Sequence, residues 1–434
     1  MTRTARHLPL LAMAACLLVT AGACDSSAQK SSGEQITLSF LSYNYGTPDT
    51  GGKGTQELID AFEAANPTIT IKPEGVPIAD ALTRARAETA AGDPPDVAQI
   101  GWSKLAGAYR ALPLTPVQDI PHPDEWRSAT AGMSQPLLAA VEHDGKVTAM
   151  PYTLSTPTLF YNASLFKKAG LNPAKPPTTI DEAQRDGLAI AKTGASGAYF
   201  DIASASKSDF LTQSLIAANG GSEVGADGTV TLDQAPAVEA LTAMQSLTKS
   251  GAQPAVSESD AIAAFKAGKL GMLVTSTALL SSLEAAAGGK FDLRTAGMPG
   301  FAGKPVRTTF SGAGLVVLAK DQARRQAAWQ FIKFLTSAEG FTIITSKIGY
   351  LPLRPGLVDD SKYLGAYYRK DPRIGPALRQ LETVRPYTFF SGAQADRAVA
   401  TLQDDAVAPI VFQGADPATT LAKVAKKIRS MTGQ

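Results

Sequence analysis

Apolar positions along this chain change rhythm in a regular order. Residues 36–41 read as a short apolar strand. Residues 55–65 then place Leu58, Ile59, Phe62 and Ala65 on one face at helical spacing, and Asn66-Pro67 stops the helix. Ile69 and Ile71 alternate in a second strand, residues 78–91 predict a second helix closed by Gly92, and residues 96–100 predict a third strand. Strand–helix–strand–helix–strand is the grammar of a parallel sheet covered by helices, so the expected class is α/β. Ligands of such sheets sit beyond the C-terminal strand ends. Two segments there stand out: Ser42-Tyr43-Asn44-Tyr45-Gly46 and Gly101-Trp102-Ser103.

A second α/β region starts near Ala149. Residues 150–162 are β-rich, residues 164–169 read as helical, and Asp181 begins another helix. Residues 261–269, 270–274 and 277–287 follow as helix, buried strand and helix. After a Gly- and Pro-rich connection, residues 314–320 predict an apolar strand. Asp321 is placed to cap a helix with Ala328, Phe331, Ile332 and Leu335 on one stripe.

Composition narrows the function classes. The chain has 434 residues and is 44% hydrophobic, enough for a large core and more than one lobe. Its two cysteines, Cys16 and Cys24, could staple only the extreme N-terminus, so a disulfide scaffold is excluded. Net charge is +2, and the excess comes from Arg3 and Arg6; beyond them the charges cancel. The charge field that nucleic acid requires is absent.

Residues 1–23 have the features of an export signal: Arg3 and Arg6, then an apolar stretch at 8–20 that is too short to span a bilayer. Ala21-Gly22-Ala23-Cys24 resembles a bacterial lipobox, which implies lipidation of Cys24. Residues 24–33 are polar and Ser-rich, a flexible tether.

Catalytic constellations are missing from the sequence. There is no His-Glu-x-x-His, only His122 and His143 lie beyond the signal, and no Gly-x-Ser-x-Gly elbow occurs. No metal or cofactor is expected. Residues 47–54 imitate a phosphate loop, but Gly54 stands where a Ser or Thr would hold magnesium. A Gly-rich βα turn is the simpler reading.

The stretch from Met150 reads MPYTLSTPTLFYNASLFKKAGLNPAKPPTTIDEA. Pro151, Tyr152, Ser155, Thr156, Pro157, Leu159, Tyr161 and Asn162, followed by residues 165–171 and Pro173, Pro176, Pro177 and Thr179, carry a family pattern. GDPPDV at 92–97, AFKAGKLGM at 264–272, SGAGLVVL at 311–318, FIKFLTSA at 331–338 and GYLP at 349–352 follow in register. The chain resembles the extracellular solute-binding proteins of ABC importers, in the sugar and sn-glycerol-3-phosphate branch. That resemblance implies a two-lobe, type II periplasmic-binding-protein-like fold with three hinge crossings and a central interlobe cleft. The crossings are expected at 148–153, 305–311 and 346–351. Lobe one would be 34–148 plus 312–345, and lobe two 153–305 plus 352–434.

Matched positions and strand ends together give the candidate ligand-binding residues. These are Tyr43, Asn44, Tyr45, Trp102, Ser103, Ser155, Thr156, Ser276, Thr277, Gly312, Ala313, Tyr350, Arg385 and Tyr387, with Phe390 nearby. Aromatic faces suit sugar C–H surfaces, and hydroxyls or amides read their OH pattern. The implied function is a non-enzymatic, monomeric lipoprotein outside the cell membrane. It would capture a small sugar or polyol and hand it to the transmembrane subunits of a permease. The alternative within the class is sn-glycerol 3-phosphate or a glycerophosphodiester, which the sequence disfavours: residues 200–210 lack the Trp of the glycerol-phosphate binders, and only Arg385 and Arg397 lie near their arginine position. A secreted enzyme and a surface sensor or adhesin are the alternatives of other classes.

Overall fold

Alternating buried positions build two separate sheets. The computed structural model describes residues 35–46, 52–206, 208–385, 387–392 and 394–434. The export signal, Cys24, the tether and most of the Gly-rich turn at 47–54 lie outside the described residues. Strands β1 (Ile36–Ser42), β2 (Ile69–Gly75) and β3 (Val97–Gly101) alternate with helices Gly52–Ala65, Ala81–Ala90 and Trp102–Ala111. A small hairpin, β4 (Glu142–His143) and β5 (Lys146–Val147), precedes β6 (Met150–Ser155) and β7 (Pro157–Asn162). The remaining strands are β8 (Ser196–Phe200), β9 (Leu270–Ser276), β10 (Leu293–Gly297) and β11 (Ser311–Val317).

The first sheet has the order β2-β1-β3-β11-β6 and the second β10-β7-β9-β8. β1 runs parallel to β2 and β3, whereas β11 runs antiparallel to both β3 and β6. In the second sheet β8 and β9 are parallel, and β7 opposes β9 and β10. Period-two alternation covers the second sheet on both faces. Leu159 and Tyr161 point into one apolar cluster with Phe200 and Val274, while Phe160, Tyr199 and Leu273 point into the other.

Several local expectations shift by a few residues, each for a physical reason. The second helix begins at Ala81, not 78, because Asp80 N bonds Pro77 O in a preceding turn. Ile78 is thereby left outside the helix and 47% exposed. β11 begins at Ser311, since Ser311 and Gly312 still pair with Ser155 and Leu154. The passage between sheets falls at Thr156, after β6, and not within 148–153, because β6 pairs with β11 of the first sheet. Asp321 caps its helix as expected, accepting from Arg324 N at 2.8 Å. The helix expected from Asp181 starts at Ile180 behind a Thr179–Glu182 capping box.

Buried charge ties the layers together. Asp96, from GDPPDV, accepts from Ser39 N at 2.8 Å and from Arg324 Nε at 2.8 Å, joining β1 to the helix Gln322–Leu335. At the C-terminal side Asp396 lies 3.2 Å from Arg86 Nη2, seated over Gly107, where a Cβ would collide with its carboxylate. Glu284, in the helix Leu280–Ala287, sits beside Asp371 with Arg373 Nε at 3.2 Å. Burial, reinforced by Asp371, pushes the Glu284 carboxyl up to about 8 despite the Arg373 charge.

A carboxyl raised in the folded state binds its proton more tightly there than in the unfolded chain. Its contribution to stability is complete below the unfolded pKa of about 4.5 and is lost as pH rises through about 8. Glu284→Gln removes this dependence. Urea midpoints measured from pH 5 to 9 are expected to fall less steeply for the variant than for the parent. Parallel curves would refute the assignment.

Candidate functional site

The cavity forms where strand ends of both sheets meet. It has a volume of about 610 Å³. From the first sheet come Tyr43, just past β1, Ile78, past β2, Ser155 at the end of β6, and Ser311 and Gly312 at the start of β11. From the second come Asp201, just past β8, and Thr275 and Ser276 at the end of β9. The loop through Ser204, Phe210 and Leu211 and the helix Glu258–Lys266 complete the wall, and Tyr350 completes the floor. The parallel strands contribute through their C-terminal ends, as the topology requires.

A buried amide and hydroxyl network fixes the floor. Ser42 Oγ donates to Gln99 Oε1 at 2.7 Å, the Gln99 amide donates to Asn44 Oδ1, and Asn44 Nδ2 donates to Tyr350 OH at 3.3 Å. Burial first, and the neighbouring Tyr350 phenol second, hold Tyr43 well above the ordinary phenol range; burial raises Tyr350 likewise. Both phenols therefore stay neutral.

At Gly312 the neighbouring strands β6 and β11 of the first sheet approach closely. A Cβ there would overlap Thr153 O and stand 2.9 Å from Trp102 Nε1, and φ is +155°. Leu351 N donates to Leu154 O at 2.7 Å, and Ser155 Oγ donates to Ser311 O at 3.3 Å. The three passages of the chain between the sheets thus lie side by side beneath the cavity.

Two carboxylates occupy the second-sheet wall. Asp201 is 5% exposed; its Oδ2 accepts from Thr275 Oγ1 at 2.8 Å, and Oδ1 has no hydrogen-bond partner among the described residues. Burial pushes its carboxyl well above the usual range, and the Glu258 charge adds to this. Glu258 is also raised by burial, while its Oε2 accepts from Ala205 N at 2.9 Å.

Of the sequence-predicted residues, Tyr43, Ser155, Ser276, Gly312 and Tyr350 line the cavity together. The others do not line it, each for a visible reason. Asn44 turns inward to the Gln99 network, and Tyr45 packs against Gly75. Trp102 is buried behind Gly312, edge-on to Phe310 at 5.4 Å. Ala313 is buried in β11 opposite Gly101. Thr156 and Thr277 bond each other at the sheet crossing, through Thr156 N to Thr277 Oγ1 at 3.3 Å. Ser103 and Tyr387 line a narrow crevice, with the Tyr387 hydroxyl on Asp209 and Phe390 beside them. Arg385 lines a separate hollow of about 280 Å³ with Glu223.

The sequence reading missed Ile78, Asp201, Phe210 and Glu258. The strand-end rule had the power to find Asp201, the first residue after β8. Glu258 carried no such signal, because it reaches the wall from a helix N-terminus.

The family described as "Bacterial extracellular solute-binding protein" matches residues 57–374. The sn-glycerol-3-phosphate-binding periplasmic protein UgpB of Salmonella typhimurium is 27% identical over 379 residues, covering 83% of this chain and 84% of that protein. Among solved structures, UgpB from Mycobacterium tuberculosis in complex with glycerophosphocholine superposes with a TM-score of 0.78. It is 25% identical and covers 91% of this chain and 98% of that one. The GacH receptor of Streptomyces glaucescens, solved unliganded and with acarbose, has a TM-score of 0.79 at 20% identity. It covers 93% and 100% of the two chains and shares the fold. Among the described residues no helix is long and apolar enough to cross a membrane.

Replacing Gly312 tests the seam directly. Gly312→Ala must push β6 and β11 apart, and is expected to lower stability by about 2 kcal/mol, within the range for overpacking. A denaturant midpoint equal to the parent's would show that the close approach carries no constraint.

Proposed function

This chain belongs to the bacterial extracellular solute-binding protein family, and from that premise we propose that it captures a sugar or polyol in the cavity between its two sheets. Members of this family bind solutes for ABC importers and are not enzymes. The observation that carries the proposal is the lining of the 610 Å³ cavity. Ser155, Ser204, Ser276 and Ser311 offer hydroxyls that can donate or accept, and Tyr43, Phe210 and Tyr350 offer ring surface. Neutral polyhydroxy solutes need both.

The mechanism follows from the seam. Lobe one takes residues 35–155 and 312–345, and lobe two takes 157–305 and 352–434, with the first crossing at Thr156 to follow the pairing of β6. Closure of the lobes on the solute shifts a population between open and closed states; the ligand favours the closed one through contacts with both walls. Contact between Arg86 and Asp396 supports the closed arrangement. The exported chain is tethered through lipidated Cys24 and works as a monomer beside its permease. The lipobox-like Ala21-Gly22-Ala23-Cys24 supports that placement.

A second reading is capture of a glycerophosphodiester. The Mycobacterium tuberculosis structure with glycerophosphocholine and the Salmonella typhimurium relative favour it.

A thermal-shift screen of the purified protein against sugars, polyols and glycerophosphodiesters separates these readings. A specific ligand at a hundredfold excess over Kd stabilises by about 2.7 kcal/mol. A sugar or polyol shift is the expected result, abolished by Tyr350→Ala. A shift with glycerophosphocholine alone selects the second reading. Silence across all three classes overturns solute capture in favour of a sensing or adhesive role.

A further inference from the structure

Along the first sheet the lining of the cavity changes character from one end to the other. Ser155 closes β6, Ser311 opens β11 and Tyr43 follows β1, whereas Pro77, Ile78 and Ala79 follow β2. In that sheet β1 and β3 stand between β2 and β11. The lining therefore crosses three strand spacings, about 14 Å, from the serine end to the Ile78 end. Pro77, Ile78 and Ala79 carry no side-chain donor or acceptor. This wall thus offers hydroxyls at one end and only aliphatic side chains at the other.

Ile78 and Val256 are the exposed large hydrophobic side chains among the described residues, at 47% and 36%. A single exposed isoleucine is ordinary on open surface. Ile78 instead lines a cavity, and the second lobe brings Ile262, on the helix Glu258–Lys266, and Leu279, just past β9, to the same cavity. Apolar surface collected in this way is covered by an occupant. A bare sugar that reached Ile78 would set hydroxyls against aliphatic carbon, where they lose water and gain no partner. A run of CH2 groups gains from the same surface, because each one is taken out of water.

Building on the solute-capture reading, we propose that the cavity takes an elongated amphiphilic solute, a sugar or polyol joined to a short alkyl or acyl chain. The polyol head lies against Ser155, Ser311 and Tyr43, and the chain lies between Ile78 and Ile262. These two isoleucines are the specificity determinants for the chain. They belong to different lobes, so a chain that touches both also favours the closed state.

Chain-length series test this, by calorimetric titration of the purified protein with every ligand below its micelle concentration. The probes are methyl, butyl and hexyl glucosides, the corresponding galactosides, and glycerol with its 1-O-butyl and 1-O-hexyl ethers. The expected result is one series that tightens about threefold for each methylene between its shortest member and the butyl compound, the size of a partly covered CH2. The heat-capacity change of binding grows more negative along that series. In Ile78→Ser the gain falls to about 1.5-fold or less per methylene while the shortest member binds as before, and Ile262→Ser does the same. Ile78 is already exposed, so its replacement spares the fold and decides the matter if melting curves show Ile262→Ser to be unfolded. Affinity that stays flat or falls with chain length overturns the amphiphile and leaves solute capture standing. Equal weakening of the short and long members by Ile78→Ser also overturns it, because the two isoleucines then seal against each other and not on a chain. A gain that survives both substitutions overturns it too. No binding by any member of the panel overturns both readings.

Discussion

Only a hydrogen atom fits between the α-carbon of Gly312 and the carbonyl of Thr153, and the geometry of the site depends on that approach. It lets β6 and β11 pair closely enough for Ser155 to reach Ser311 O, while Leu351 N bonds Leu154 O on the other side of the same strand. All three passages between the sheets are drawn into one seam. The cavity floor is therefore built from residues whose backbones are fixed by pairing, and the walls come from strand ends and a helix start. Trp102 shows how the seam is supported: it fills the space behind Gly312 against Phe310. Its burial makes it a brace for the wall, although its position after β3 invites a ligand-binding interpretation.

This division of labour explains which parts were legible in the sequence. Strands β1, β2 and β3 and their helices follow from the spacing of Leu38, Phe40, Leu58, Phe62 and Ile71, because burial on a helical or alternating face leaves a periodic trace. Asp321 was legible for a similarly local reason, a cap. The start of β11 was not, since Ser311 and Gly312 are too small to register as strand and are held there by long-range pairing with β6. The same long-range pairing moved the sheet crossing to Thr156.

Within the site, legibility depended on whether a residue's environment could be inferred from its neighbours in sequence. Tyr43 and Ser276 stand at strand ends and line the cavity. Asn44, one residue on, faces the opposite way and spends its amide on Gln99 and Tyr350, a pairing between residues 306 positions apart. Nothing local distinguishes the two residues. Arg385 and Tyr387 were drawn in by likeness of position alone, and the chain carries them instead to a hollow beside Glu223 and to Asp209.

The polar groups of the cavity therefore fall into two sets with different physical roles. Ser42, Gln99, Asn44 and Tyr350 satisfy one another, so their orientation is settled before any solute arrives and costs nothing further on binding. Asp201 and Glu258 are anchored through one oxygen each, to Thr275 and to Ala205 N. The satisfied set makes the cavity floor rigid. A solute is discriminated most strongly by the groups that remain worst paired without it, because the wrong solute leaves that deficit in place.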